Sequence, residues 1–307
     1  MGKKKTYTII DLFAGAGGLS EGFSQAGFVP IAHVEMDNDA CNTLRTRCCY
    51  HYLRSKGQLE LYYGYIKGEI SRQTLYTSVP TNIIDAVINV EISNDTIDCT
   101  FEKIRKLTKG RSVDLIIGGP PCQAYSLLGR HRKEMEDDPR TLLYLQYGKF
   151  LEEFKPKGFV FENVPGLLSA KKGEHFKNLQ VYFKELGYNV HFQMLNAADY
   201  GVLQNRKRII LVGWINEQDH GFPNISTCRS EAIVNNILSD LPILKAGEVK
   251  NVAPYIGQIN TYLEESGIRS NEDMFVTQNI SRPVNENDAS IYNYAIRTWS
   301  NKRVRIK

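Results

Sequence analysis

The segment "YTIIDLFAGAGGLSEGFSQAGFVPIAHVEMD", residues 7–37, limits the fold more than any other stretch of the 307-residue chain. Residues 7–13 form a short β-branched apolar run, which suits a buried strand. The "GAGG" that follows is a turn, and residues 19–28 read as a short helix ending near Gly27. Residues 29–37 are a second strand. Strand, glycine turn, helix and strand make a βαβ unit, and two parallel strands joined this way require a right-handed crossover. Another helix is predicted from Asn38 to about Arg47.

The rest of the chain continues that pattern up to Trp214. Strands are predicted at 113–119 and 158–164, and a helix at 138–156, with Asp138 as its cap, Pro139 in its first turn and Pro156 at its end. A further helix carries Phe176, Leu179, Phe183 and Leu186 at helical spacing and closes at Gly187. Residues 188–195 and 208–214 read as an antiparallel pair of strands. Residues 48–93 are rich in tyrosine and show no clean period; they read as helical excursions or an insertion. The expected fold is therefore α/β: a mostly parallel, twisted sheet with helices on both faces and a C-terminal antiparallel strand pair. Beyond Trp214 the alternation is lost.

Composition narrows the functional classes. The chain is long enough to bury a substantial core. No apolar run approaches the roughly 18 residues that cross a bilayer, and "MGKKK" does not resemble a signal peptide. The net charge of +4 is mild, and much of the excess sits at the two ends; it permits an acidic partner without requiring one. The six cysteines include no C-x-x-C pair, which suits neither a zinc site nor a disulfide framework and points to a reducing cytoplasm. No metal is expected.

Two turns carry the chemistry. In "DLFAGAGG", Gly15, Gly17 and Gly18 let backbone approach a ligand closely, and Glu35 stands about twenty residues on, at the end of the second strand, where an acid bonds ribose hydroxyls. That spacing fits NAD, FAD or S-adenosylmethionine, or a turn that only packs helix on strand. The glycines are more crowded than in G-x-G-x-x-G, and Phe13 precedes them. An aromatic wall and a snug loop suit an adenosyl ligand without pyrophosphate. In "DLIIGGPPCQAYS", Pro120 and Pro121 fix the direction of Cys122 at the end of a strand. An inert buried cysteine does not need such a mount, whereas a nucleophile must be placed to a fraction of an ångström. Glu162 and Asn163 end another strand. Arg206 and Arg208 alternate just before the last one and so share a face.

Taken together, "DLFAGAGG", "EMD", "GGPPCQAYS", "FENV" and "QNRKR" resemble, in order and spacing, the cytosine-5 DNA methyltransferase family, over about residues 7–214. The resemblance implies an S-adenosylmethionine-binding catalytic domain, here residues 1–220. Phe13, Ala14, Gly15, Gly17, Gly18, Glu35 and Met36 would be its cofactor contacts, with Asp95 near the adenine and Pro120 beside the methionine part. It implies Cys122 as the nucleophile that adds to cytosine, Glu162 as the group sharing a proton with the ring, and Asn163 as the residue that orients the loop. Arg208, and after it Arg206, would be the cation at the base. The implied product is S-adenosylhomocysteine, the implied partner double-stranded DNA, and the implied setting the cytoplasm of a bacterium with a restriction-modification system.

Residues 221–307 resemble the lead-in to a recognition region. The late blocks that follow it in the family are not found, so a truncated chain, an interrupted gene or a split enzyme completed by a second polypeptide is expected. An RNA cytosine methyltransferase of the transfer-RNA kind, a non-catalytic subunit that binds cofactor or DNA, and a nicotinamide oxidoreductase are the other functions the motifs allow.

Overall fold

The computed structural model describes residues 6–121 and 143–304. The chain divides into two compact units, residues 1–65 with 70–230, and residues 66–69 with 231–307. The first unit runs β1 (Thr8–Leu12), α1 (Gly18–Gln25), β2 (Val29–Glu35), α2 (Asn38–Lys56), α3 (Leu59–Lys67), α4 (Arg72–Thr77), α5 (Thr81–Asp85) and β3 (Val87–Asn89). It continues through α6 (Ile97–Thr108), β4 (Leu115–Gly118), α7 (Leu143–Phe154), β5 (Gly158–Asn163), α8 (Glu174–Glu185), β6 (Tyr188–Asn196) and β7 (Lys207–Ile215).

The strands form a seven-stranded sheet in the order β3-β2-β1-β4-β5-β7-β6. The first five are parallel, and β7 runs antiparallel to both β5 and β6. The mostly parallel sheet and its antiparallel pair are thus as the sequence predicts. All five residues of β1 are buried, as expected for a strand covered on both faces. Ile10, Leu12, Ala32 and Val34 turn to one face, where they share a core with Phe101 and Ile104 of α6, Phe150 of α7 and Phe183 of α8. On the other face Cys41 and Leu44 of α2 pack with Ala14 and Val87. Tyr147 of α7 is fully buried, and its hydroxyl donates to the Ile116 and Val160 carbonyls at 2.9 and 3.1 Å, tying α7 to β4 and β5.

At the edge of the sheet where the parallel strands begin, Asp114 gathers three partners. The Thr8 backbone N–H and hydroxyl donate to its Oδ2 at 2.9 and 3.2 Å, and Lys157 Nζ lies 2.5 Å from its Oδ1. Burial alone would raise this carboxyl, but Lys157 and Thr8 outweigh it and hold it below the usual carboxylate range.

Three elements differ from the sequence reading. The helix expected to end near Arg47 continues to Lys56, because Cys49 and Leu53 extend its buried side and the first residue able to stop it is Gly57, at φ 67°. Residues 48–93 contain β3, an edge strand of three residues that is too short to show a period. Helix α6 was not read at all. Its buried residues Ile97, Phe101, Ile104 and Thr108 keep helical spacing. Of the helix predicted over 138–156, residues 138–142 lie outside the described residues.

The second unit carries α9 (Val234–Leu238), β8 (Val249–Pro254), α10 (Thr261–Glu265), β9 (Phe275–Ile280) and α11 (Glu286–Lys302). Strands β8 and β9 pair antiparallel. Here Arg269 Nη1 meets the buried Asp240 carboxylate at 2.5 Å, and its guanidinium lies 3.8 Å from the centre of the Tyr255 ring.

Candidate active site

Parallel strands end on one edge, so β1, β2, β4 and β5 deliver the residues after Leu12, Glu35, Gly118 and Asn163 to the same side of the sheet. Because β7 is antiparallel to β5, its first residues reach that side as well; Ile209 is the register partner of Asn163. This is the edge at which open α/β sheets bind ligands.

The loop after β1 is an unusual piece of backbone. Phe13, Gly15 and Gly17 all have positive φ, 54°, 53° and 83°. Glycine adopts this conformation freely, whereas a phenylalanine there is a strained outlier of the kind that gathers at functional sites. At Gly17 a side chain is also excluded by space, since a Cβ would lie 2.8 Å from Leu44 Cδ2. At Gly15 a Cβ would meet nothing within 4 Å, so the loop faces open space there. Glu35 organises the loop. Its Oε2 accepts the Gly15 N–H at 2.7 Å, and its Oε1 accepts the N–H groups of Met36 and Asp37 at 2.8 Å each. Ala14 is buried, and its N–H bonds the Val34 carbonyl at 3.1 Å. Gly18 and Met36 are exposed beside it.

The loop after β4 is fitted against the end of β5. A Cβ on Gly118 would stand 2.5 Å from the Leu12 carbonyl oxygen, which brings the first loop and this one together. A Cβ on Gly119 would stand 2.8 Å from Glu162 Oε2, so only glycine leaves room for that carboxylate. Asn163 is 3% exposed. Its Nδ2 donates to the Pro120 carbonyl at 3.3 Å, and its Oδ1 accepts the Val164 N–H at 2.9 Å. Glu162 in turn meets Arg208, Nε to Oε1 at 2.6 Å, with both side chains about a quarter exposed.

Of the residues singled out from the sequence, the structure therefore joins Gly15 with Glu35, Asn163 with Pro120, and Glu162 with Arg208. Arg206 is exposed one residue before β7, and Asp95 is exposed in the turn before α6; neither is drawn into these contacts. Cys122 lies outside the described residues, immediately after the loop that Asn163 holds. The sequence reading passed over two residues. Gly119 is needed by the Glu162 carboxylate, and its signal was the doubled glycine of "GGPPC". Glu91 stands two residues past β3, at the strand-end side of the sheet. Among the described residues no cluster of His, Cys, Asp and Glu could hold a metal ion, and no helix is long and apolar enough to cross a membrane.

The α/β sheet, with a glycine-rich loop after its first strand, an acid at the end of its second and a carboxylate–guanidinium pair beside the loop after β4, has a methyltransferase-type fold. The comparisons with known proteins specify it further. The family model for C-5 cytosine-specific DNA methylase matches residues 7–60 and 85–306. The Type II methyltransferase M.Bpa9945I of Bacillus paralicheniformis is 36% identical over 329 residues, covering 94% of this chain and 73% of that protein. M.AquIA of Picosynechococcus is 37% identical over 213 residues, 67% of this chain and 71% of that one. The chain spans 54% of M1.HphI of Haemophilus parahaemolyticus, which is 32% identical over 241 residues. An E. coli prophage protein described as a DNA modification methyltransferase shares the fold, with a TM-score of 0.56 at 22% identity, over 84% of this chain and 63% of that one. The chain belongs to the C-5 cytosine-specific DNA methylase family.

Proposed function

We propose that this chain carries the catalytic part of an enzyme that methylates carbon 5 of cytosine in double-stranded DNA. The observation that carries the reading is the lock at the strand ends: Asn163 holds the Pro120 carbonyl while Glu162 is paired with Arg208, directly before Cys122.

The residues present fit S-adenosylmethionine. Gly15 leaves open space at the bend, Phe13 supplies a half-buried ring, and Glu35 Oε2 keeps a lone pair free for a ribose hydroxyl after accepting one N–H. When bound, that cofactor supplies an electrophilic methyl group and leaves as S-adenosylhomocysteine. Every other step belongs to the protein and the base. Cytosine carbon 5 is a weak nucleophile. The target is first flipped from the duplex. The Cys122 thiolate then adds to carbon 6, its sulfur–carbon bond pushing an electron pair toward N3. Glu162 shares its proton with N3, and Arg208 offsets the charge at the base and favours the thiolate at position 122. Carbon 5, now an enamine carbon, takes the methyl group. A water then removes the carbon 5 proton, the double bond re-forms, and the thiolate leaves.

Residues 1–220 form the cofactor-binding catalytic domain in this reading, and 221–307 lead into base recognition. Double-stranded DNA is the partner it calls for. The test is methyl transfer from labelled S-adenosylmethionine to duplex DNA and to transfer RNA, with the product bases separated. Label in 5-methylcytosine of DNA, absent with Cys122→Ser, supports the reading. Label in transfer RNA alone replaces it with the RNA alternative.

A further inference from the structure

A second cavity opens in the first unit at the opposite end of β2. Its volume is about 820 Å³. It runs from Gly27, Phe28 and Val29 at the start of β2, between α1 and α2, and is walled on one side by Tyr52 and by Ile83 of α5. Residues 61–84, which include Ile83, are the stretch the family model leaves unmatched. Of this wall, Tyr52 lies within the matched residues and Ile83 outside them.

The charges around the cavity are uneven. Among the described residues that line it, Glu21 is the only acid, against Arg47, Lys109 and Arg111. Glu21 Oε2 is already shared by Arg47 Nη1 and His51 Nε2, at 2.9 Å each. Lys109 and Arg111 have no carboxylate partner among the described residues. They flank the exposed turn that closes α6. The floor is His33, whose Nδ1 lies 3.2 Å from the buried carboxylate of Asp11. Burial opposes its charge, but the Asp11 and Cys48 contacts prevail and raise its pKa to about 10. That charge is matched by Asp11, so the unmatched cations are those of Lys109 and Arg111.

We propose that this cavity is a second small-molecule site, for a phosphorylated nucleoside. Pockets of roughly 300–1,000 Å³ that are mostly apolar with a few placed polar groups are the usual form of such sites. The Tyr52 and Phe28 rings and the Ile83 side chain receive the base, and Lys109 and Arg111 receive the phosphate. The site does not depend on the methyl-transfer reading. Gly17 and Ser20 belong both to this wall and to the glycine loop and the helix it opens, so occupancy here reaches the first loop through α1.

Cys48 lines the cavity and is half-buried, which gives a native reporter. The experiment uses the full chain with S-adenosylhomocysteine present throughout, so that the other edge is held constant. Adenosine 5′-monophosphate, pyrophosphate and adenosine are titrated calorimetrically. Iodoacetamide labelling of each cysteine is followed by peptide mass spectrometry. The expected result is binding of the monophosphate at least 10-fold tighter than adenosine. It should slow labelling at Cys48 at least 5-fold and leave the exposed Cys99 and Cys228 unchanged. Lys109→Gln with Arg111→Gln, both on the surface, should abolish the preference for phosphate. Ile83→Trp, which narrows the cavity without changing charge, should weaken both nucleosides. Absence of binding, binding without protection of Cys48, or equal binding in the double variant overturns the proposal.

Discussion

The two ends of the parallel strands in the first unit are built on different rules. At the end where the strands finish, the candidate site is built from neighbours in sequence. Phe13 to Gly17 bend in five residues, Glu35 bonds its own next two N–H groups, and Glu162 and Asn163 are adjacent. At the end where they begin, the cavity joins residues from α1, α2, α5 and the turn after α6, none in a fixed spacing. Backbone devices that need glycine, proline or a paired acid leave a mark in the text of a sequence. A cavity assembled by packing does not. Mutations at the first end should therefore change turnover steeply, and at the second they should leave turnover nearly untouched.

The steepest expected effect is at Glu162. Glu162→Gln keeps the shape but loses the charged pairing with Arg208 and, in the proposed mechanism, the carboxyl that shares a proton with N3. Turnover should fall about 100-fold or more with the fold intact, as for loss of one preorganised transition-state contact; single-turnover kinetics and circular dichroism check this. Gly119→Ala should match it, because the new Cβ displaces the same carboxylate. If Gly119→Ala were silent, the close fit between this loop and β5 would be irrelevant to catalysis.

Next comes Gly118→Ala. Its Cβ would meet backbone, the Leu12 carbonyl, rather than a yielding side chain. The expected loss is about 1–3 kcal/mol of stability, in the range of core overpacking, measured by urea unfolding. A smaller effect belongs to Asp114 at the opposite edge. Its carboxyl is held below the usual range in the fold. The stabilisation it gives is present above the ordinary carboxylate pKa and is lost as pH falls through the lowered folded value. Asp114→Asn should cost about 1 kcal/mol near neutrality, given the half-exposed Lys157, and should flatten the acid limb of a stability–pH curve. The smallest effect on turnover is that of the Lys109 and Arg111 double variant without nucleotide, within 2-fold of the parent.

The same contrast explains what the sequence disclosed. β1, β2, β4 and β5 were legible as apolar runs that stop at the bend of residues 13–15, at Glu35, at Gly118 and at the pair Glu162 and Asn163, and α1 from the glycines on either side of it. The antiparallel β6 was legible from apolar alternation around Val190, and β7 from the continuous apolar run of residues 209–212. The length of α2 was hidden because Cys49 and Leu53 continue its buried side among tyrosines that blur the period. β3 is a three-residue edge strand whose place is fixed by pairing with β2 rather than by its own pattern. Strands β8 and β9 are half-exposed on both faces and carry little alternation to read. The pairing of Glu162 with Arg208 depends on β7 reversing direction beside β5, so the two residues, 46 positions apart, meet only through topology.

The claim on which the account rests is that the strand-end loops aim the Cys122 thiolate at a flipped cytosine. Duplex DNA carrying 5-fluorocytosine tests it directly, because the adduct cannot lose fluorine and the protein stays attached. With cofactor and any completing polypeptide supplied, the account predicts a denaturation-resistant complex mapped to Cys122, slowed by Glu162→Gln and absent with Cys122→Ser. An adduct that persists in Cys122→Ser, or methyl transfer that proceeds without Cys122, would contradict it.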